Sequence, residues 1–140
     1  MTMFATPQPI NWIGILAAAF AVMMLGWVWF AVLFARVYAG VLDRPYEPGA
    51  KMPPLYIAGP SLCMLVTTIA SAWFMRALGI ATLGGAIAFG TAIGIGYLGS
   101  TAINMAINPL VPRPLAYGFL SASYFLVASV LISVVLFLVG

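Results

Sequence analysis

The sequence predicts an all-α, polytopic membrane protein with four transmembrane helices in an up-down bundle, and three observations predict it. Of its 140 residues, 65% are hydrophobic and 5% charged, far from the roughly one quarter of charged residues in soluble domains. The apolar residues gather in four runs, each long enough to supply the ~20 residues that a helix needs to cross a bilayer. Between the runs stand clusters of proline, glycine and charge, the composition of water-exposed connections.

Helix one is expected over residues 11–38. Asn11 suits an N-cap ahead of "WIGILAAAFAVMMLGWVWFAVLFARVY", a run that at about 1.5 Å per residue reaches roughly 40 Å, through the hydrocarbon and into the headgroups. Met1 to Pro9 lacks a positive flank and the run exceeds the roughly 7–15 residues of a secretory signal core, so a retained helix is expected. The connection at 39–53 holds Asp43, Arg44, Glu47 and Lys51. Pro53 and Pro54 suit a first helical turn, which starts helix two over 54–78. Pro60 lies inside that helix, where a missing N–H should kink or restart it. A turn around Gly79 leads to helix three at 82–107. The segment "NPLVPRP" at 108–114 then stops it, and helix four occupies 115–139.

The third run, "GGAIAFGTAIGIGYLGSTAINMAIN", is rich in glycine, the residue that most weakens a helix. At helical spacing Gly84, Ala88, Ala92, Gly96, Ser100, Asn104 and Asn108 form one row, with Ala86, Gly90 and Gly94 forming a second. Helices in lipid gain nothing from the hydrophobic effect on meeting, so they associate through close backbone approach and hydrogen bonds, which small residues permit. Helix four offers a partner row in Tyr117, Ser121, Phe125, Ser129 and Ser133. These rows are expected to pack helix three on helix four, or to form a homo-oligomer interface. Gly94, Gly96 and Gly99 also make a literal G-x-G-x-x-G, but it lies inside an apolar span with no strand before it and no acid after it, so a dinucleotide site is excluded.

Asn104 and Asn108 sit one turn apart near the end of helix three. Either they form a hydrogen-bond clasp, Asn108 capping the helix end, or they line a polar vestibule for an ion or small solute together with Tyr124. Trp27, Phe30, Phe34 and Tyr38 share a face of helix one, with Trp29 beside it, as an interfacial belt, a packing surface or a stacking site for an organic ligand.

With no histidine and a single cysteine, Cys63, imidazole metal sites, His-based triads and cysteine clusters are excluded; no metal and no cofactor is expected. No Asp or Glu lies in any span, which counts against ion-coupled transport. The net charge of +3 is spread over connections and not along one stripe, so nucleic acid is not an expected partner. Arg36, Arg44, Lys51 and Arg113 border the two longer connections, against Arg76 alone on the other side. The positive-inside rule therefore expects those connections in the cytoplasm, at lipid headgroups, and both termini on the far side of the cytoplasmic membrane.

The segment "LGWVWFAVLFARVYAG" resembles one in the bacterial and fungal domain-of-unknown-function family 1761, which pairs a glycine with Trp and an aromatic, then Phe, a basic residue and another aromatic. Gly26, Trp29, Phe30, Phe34, Arg36 and Tyr38 carry the resemblance. Gly90, Gly94, Asn104, the Arg113-Pro114 turn and Tyr124 are similar to that family's second half. Phe125 stands where members of the family often have histidine, so no role resting on that imidazole transfers. The resemblance implies a small multi-span membrane protein without an established activity.

The function expected from these readings is a noncatalytic structural or accessory bundle with the lipid bilayer as its surroundings, alone, as a homo-oligomer or within a larger membrane complex. A small channel or carrier, and a lipid- or quinone-binding protein, are the alternatives.

Overall fold

The computed structural model describes residues 9–140. Among these residues every regular element is helical, and four helices are long and apolar enough to cross a membrane. They are α1 (Trp12–Leu33), α3 (Leu55–Ala77), α4 (Leu83–Ala106) and α5 (Pro114–Val139), with a short α2 (Ala35–Val41) continuing α1 beyond a break.

The helix ends obey local chemistry. Asn11 caps α1 by accepting the Gly14 N–H at 3.2 Å, and its amide donates to the Val139 carbonyl at 3.0 Å, which ties the start of α1 to the end of α5. Gly79 ends α3 in the left-handed conformation, with φ +65°, which costs glycine nothing. Thr82 then caps α4 through its hydroxyl, which accepts the Gly85 N–H at 3.0 Å. Pro114 occupies the first turn of α5, where its absent N–H needs no partner. Helix α3 runs through Pro60 without restarting; the proline is close enough to the start that few carbonyls are disturbed, and the Ser61 hydroxyl donates to the Ile57 carbonyl at 2.7 Å beside it.

Helix α5 is the hub. It packs along α4 on one side and α1 on the other, while α3 lies chiefly on α1 and touches α5 lightly. Although joined by a short turn, α3 and α4 share no sustained packing. The α4 and α5 backbones approach closely. A Cβ placed on Gly90 would stand 2.7 Å from the Ser129 carbonyl oxygen and the Val130 Cα, and one on Gly94 2.8 Å from the Leu126 Cα. Toward the other end the roles reverse, and Gly118 of α5 faces the Ile103 Cα at 3.2 Å from such a Cβ.

The small-residue face differs from the first row read along the sequence. Gly84, Ala88, Ala92, Gly96 and Ser100 are exposed, and Gly84 and Gly96 have nothing within 4 Å of a Cβ position. The buried row is Ala86, Gly90, Gly94, Gly99 and Ala106. Its spacing lengthens between Gly94 and Gly99 because that stretch is a π-helical turn, which inserts one residue and rotates the remainder of the helix. A π turn over Val28–Leu33 does the same in α1, closed by the Phe34 N–H on the Trp29 carbonyl at 2.9 Å. Phe34 and Tyr38 thereby turn inward, while Leu33 and Val37 stay exposed.

Gly90→Ala should destabilise the bundle by about 1–3 kcal/mol, because its methyl meets backbone that cannot move aside. Gly96→Ala should cause no loss. Unfolding in mixed micelles compares the two, and equal losses would contradict the α4–α5 contact described.

Candidate functional site

The residues with chemical potential gather where α1 breaks into α2 and α5 begins. Because the π turn brings Trp29, Phe30, Phe34 and Tyr38 toward one side, α5 can set Tyr117 and Tyr124, two turns apart, against them. The rings form a continuous column. Tyr117 stacks on Tyr38 at 6.2 Å between centroids, Tyr38 meets Phe30 at 5.1 Å, and Phe30 meets Tyr124 at 5.2 Å. Tyr124 in turn touches Phe125 at 5.2 Å and Trp29 at 6.3 Å, with Phe34 a further 4.8 Å from Trp29. Offset and tilted ring pairs each contribute about 0.5–1.5 kcal/mol beyond their burial.

Tyr124 is the buried centre of the column. Its hydroxyl donates to the Val22 carbonyl at 3.4 Å, a long bond. Gly26 makes the room, since a Cβ there would stand 3.1 Å from that hydroxyl oxygen. The Trp29 indole N–H is buried without an acceptor, and so is the Ser129 hydroxyl at the α4–α5 seam. Ser133 in that seam donates instead to the Ser129 carbonyl at 2.8 Å, and Ser121 of the same helix is also buried. Outside the spans, burial holds the Tyr38 phenol above its ordinary range, with Tyr117 reinforcing and Arg44 opposing the shift.

Arg113 closes the end of the column. Its guanidinium donates to the Gly40 carbonyl at 3.0 Å and pairs with Asp43 at 3.4 Å, so a residue expected only at the headgroups also fastens α5 to the end of α2. Asp43 itself holds φ 50° and ends α2, with the Arg44 N–H returning to the Ala39 carbonyl at 2.9 Å. Arg36 lies over the Tyr46 ring at 5.3 Å, while Arg44 and Lys51 are exposed.

The asparagines do not join this site. Asn104 is exposed on the outward side of α4. Asn108 is also exposed, its amide donating to the Met105 carbonyl at 2.6 Å and its oxygen accepting the Leu110 N–H at 2.9 Å, so it shapes the helix end locally. A vestibule formed by Asn104, Asn108 and Tyr124 is therefore not present, because α4 presents its glycines and not its amides to α5. Trp27 is also exposed, and Trp29 takes the inward place.

The model of a family described as "Protein of unknown function (DUF1761)" matches residues 13–137. The chain belongs to this family. No curated protein and no solved structure matches it. The match takes in nearly all of the four long apolar helices and the whole aromatic column. Among the described residues of this family member no group of three His, Cys, Asp or Glu side chains could hold a metal ion.

Sequence reasoning missed Gly26 and Tyr117 as parts of one site. Tyr117 and Tyr124 are seven residues apart in α5, a spacing that places them on one helical stripe and could have linked them. The pairing of Gly26 with Tyr124 lies between distant helices and left no local signal.

Gly26→Ala should cost about 1 kcal/mol and Tyr124→Phe about 0.6 kcal/mol, the average for a hydrogen bond between membrane helices. Their double variant should lose less than the sum by about 0.5 kcal/mol or more, because the methyl no longer meets a hydroxyl. Strict additivity in reversible unfolding would show that the two groups are not in contact.

Proposed function

We propose that the chain is a noncatalytic structural or accessory component of the cytoplasmic membrane, with the connections that carry Arg36, Arg44, Lys51 and Arg113 in the cytoplasm and both termini opposite. The observation that carries this reading is the filled interior. Ile15, Ala18, Val22, Thr68, Ala128 and Ile132 have no exposed surface, and Thr68 donates to the Met64 carbonyl of its own helix at 2.7 Å. A channel or carrier needs a wet route through the bilayer, and the buried Ser129 and Ser133 instead pack against Gly94 and Gly90. The placement of four cations at one end and Arg76 at the other supports the orientation.

An accessory protein acts by association, and α4 presents a surface suited to it. Gly84, Ala88, Ala92 and Gly96 face outward, so a second backbone can come as close to α4 from outside as α5 does from inside. A second copy of the chain is the simplest occupant.

In proteoliposomes, Ala88→Cys on a Cys63→Ser background should give cross-linked dimers, and adding Ala92→Phe should abolish them without unfolding the bundle. The same vesicles should pass ions and small solutes no faster than protein-free controls. Flux above that baseline would replace the structural reading with a transport one.

For orientation, a membrane-impermeant thiol reagent should label Glu47→Cys, also on a Cys63→Ser background, in inverted vesicles and not in intact spheroplasts. The reverse pattern would overturn the assignment of sides.

A further inference from the structure

The two ends of the bundle differ in charge. Both acids of the chain, Asp43 and Glu47, lie in the connection after α2 with Arg44 and Lys51, and Arg36 of α2 and Arg113 before α5 stand at the same end. Asp43 pairs there with Arg113, the one ion pair among the described residues. Arg76, in the last turn of α3, stands at the opposite end, where no carboxylate side chain can reach it.

Beside Arg76 opens a crevice of about 310 Å³ between the start of α1 and the ends of α3 and α5. It exists because α3 leans on α1 and touches α5 only lightly. Gly14 and Ala72 keep its sides low, and Met75, Leu136 and Phe137 make its walls apolar. Asn11 and Gly140 also border it; the Asn11 amide is bonded to Val139 and Gly14, and Arg76 carries the one charged side chain of the lining. The volume is at the small end of ligand sites, roughly 300–1,000 Å³, enough for a headgroup and the upper part of an acyl chain.

We propose that this crevice binds an anionic phospholipid, its phosphate on the Arg76 guanidinium and its glycerol and first methylenes against Met75, Leu136 and Phe137. Arginine offers a planar fork of donors matched to phosphate oxygens. A free phosphate would leave the apolar walls to water, and a zwitterionic lipid would bring its own cation beside Arg76; an anionic amphiphile covers the walls and offers its phosphate charge unopposed. The turn of α3 that carries Arg76 lies where a membrane-spanning helix meets the headgroups, so the charge and the apolar walls fall at the depths of the lipid groups they would meet.

Native mass spectrometry of the full chain in detergent, titrated with phosphatidylglycerol and with phosphatidylcholine of the same chain length, tests the assignment. The wild type should retain phosphatidylglycerol in preference. Arg76→Gln should weaken that retention about fivefold, the effect of one basic residue near a membrane surface, and Arg76→Lys should restore most of it. Ala72→Leu, which fills the crevice and leaves the charge, should weaken both lipids, and inorganic phosphate in excess should displace neither. Equal binding of the two lipids by the wild type, unchanged retention by Arg76→Gln with native helix content, or displacement by inorganic phosphate would each overturn it.

Discussion

The bundle depends on the approach of the α4 backbone to the α5 backbone at Gly90 and Gly94. Within lipid, apolar side chains are as content against acyl chains as against each other, so what joins two helices is the density of contact that a bare backbone allows. Glycines of α4 admit the Ser129–Val130 and Leu126 backbone at one end of the seam, and Gly118 of α5 admits Ile103 at the other. A seam built from both partners fixes the register of the two helices. With α5 placed, its remaining faces receive α1 along most of their length and α3 along little of it.

Two π turns make this arrangement compatible with the rest of the chain. A regular helix carries its faces forward at a constant 3.6 residues per turn, and neither α1 nor α4 could keep its inward side unbroken on that rule. One inserted residue in α4 brings Gly99 under α5 after Gly94, and one in α1 brings Phe34 and Tyr38 toward Tyr124 and Tyr117. The aromatic column and the glycine seam thus share a cause. Both occur where the chain departs from ideal helical spacing, and both lean on α5.

The ends of the bundle have opposite characters for the same reason. Where α2 meets the start of α5, stacked rings and the Arg113 contacts to Gly40 and Asp43 close the structure. At the far end α3 stands off from α5, and a crevice opens beside a cation that no acidic side chain neutralises. Among the described residues, one end of the bundle is therefore closed by ring and guanidinium contacts, and the other carries a crevice.

Much of the architecture was legible in the residues. Four apolar runs, the proline-rich connections and the turn at Gly79 reveal themselves because burial in lipid acts on each residue by itself, whatever its neighbours. The serines of α5 were visible as well, since they recur at helical intervals, whereas the aromatic face of α1 read at that spacing included Trp27, which the structure leaves exposed. What the sequence alone could not decide was which side of α4 faces α5. Its small residues occupy more than one side, so spacing alone offered both the Gly84-to-Asn108 row and the Ala86, Gly90, Gly94 row, whereas packing buries Gly90 and Gly94 and leaves Asn104 outside. That choice, like the π turns that adjust the phase and the place of Gly26 beneath Tyr124, is made by contact between distant segments. Local preference determined the crossings, and mutual fit of backbones determined which faces meet.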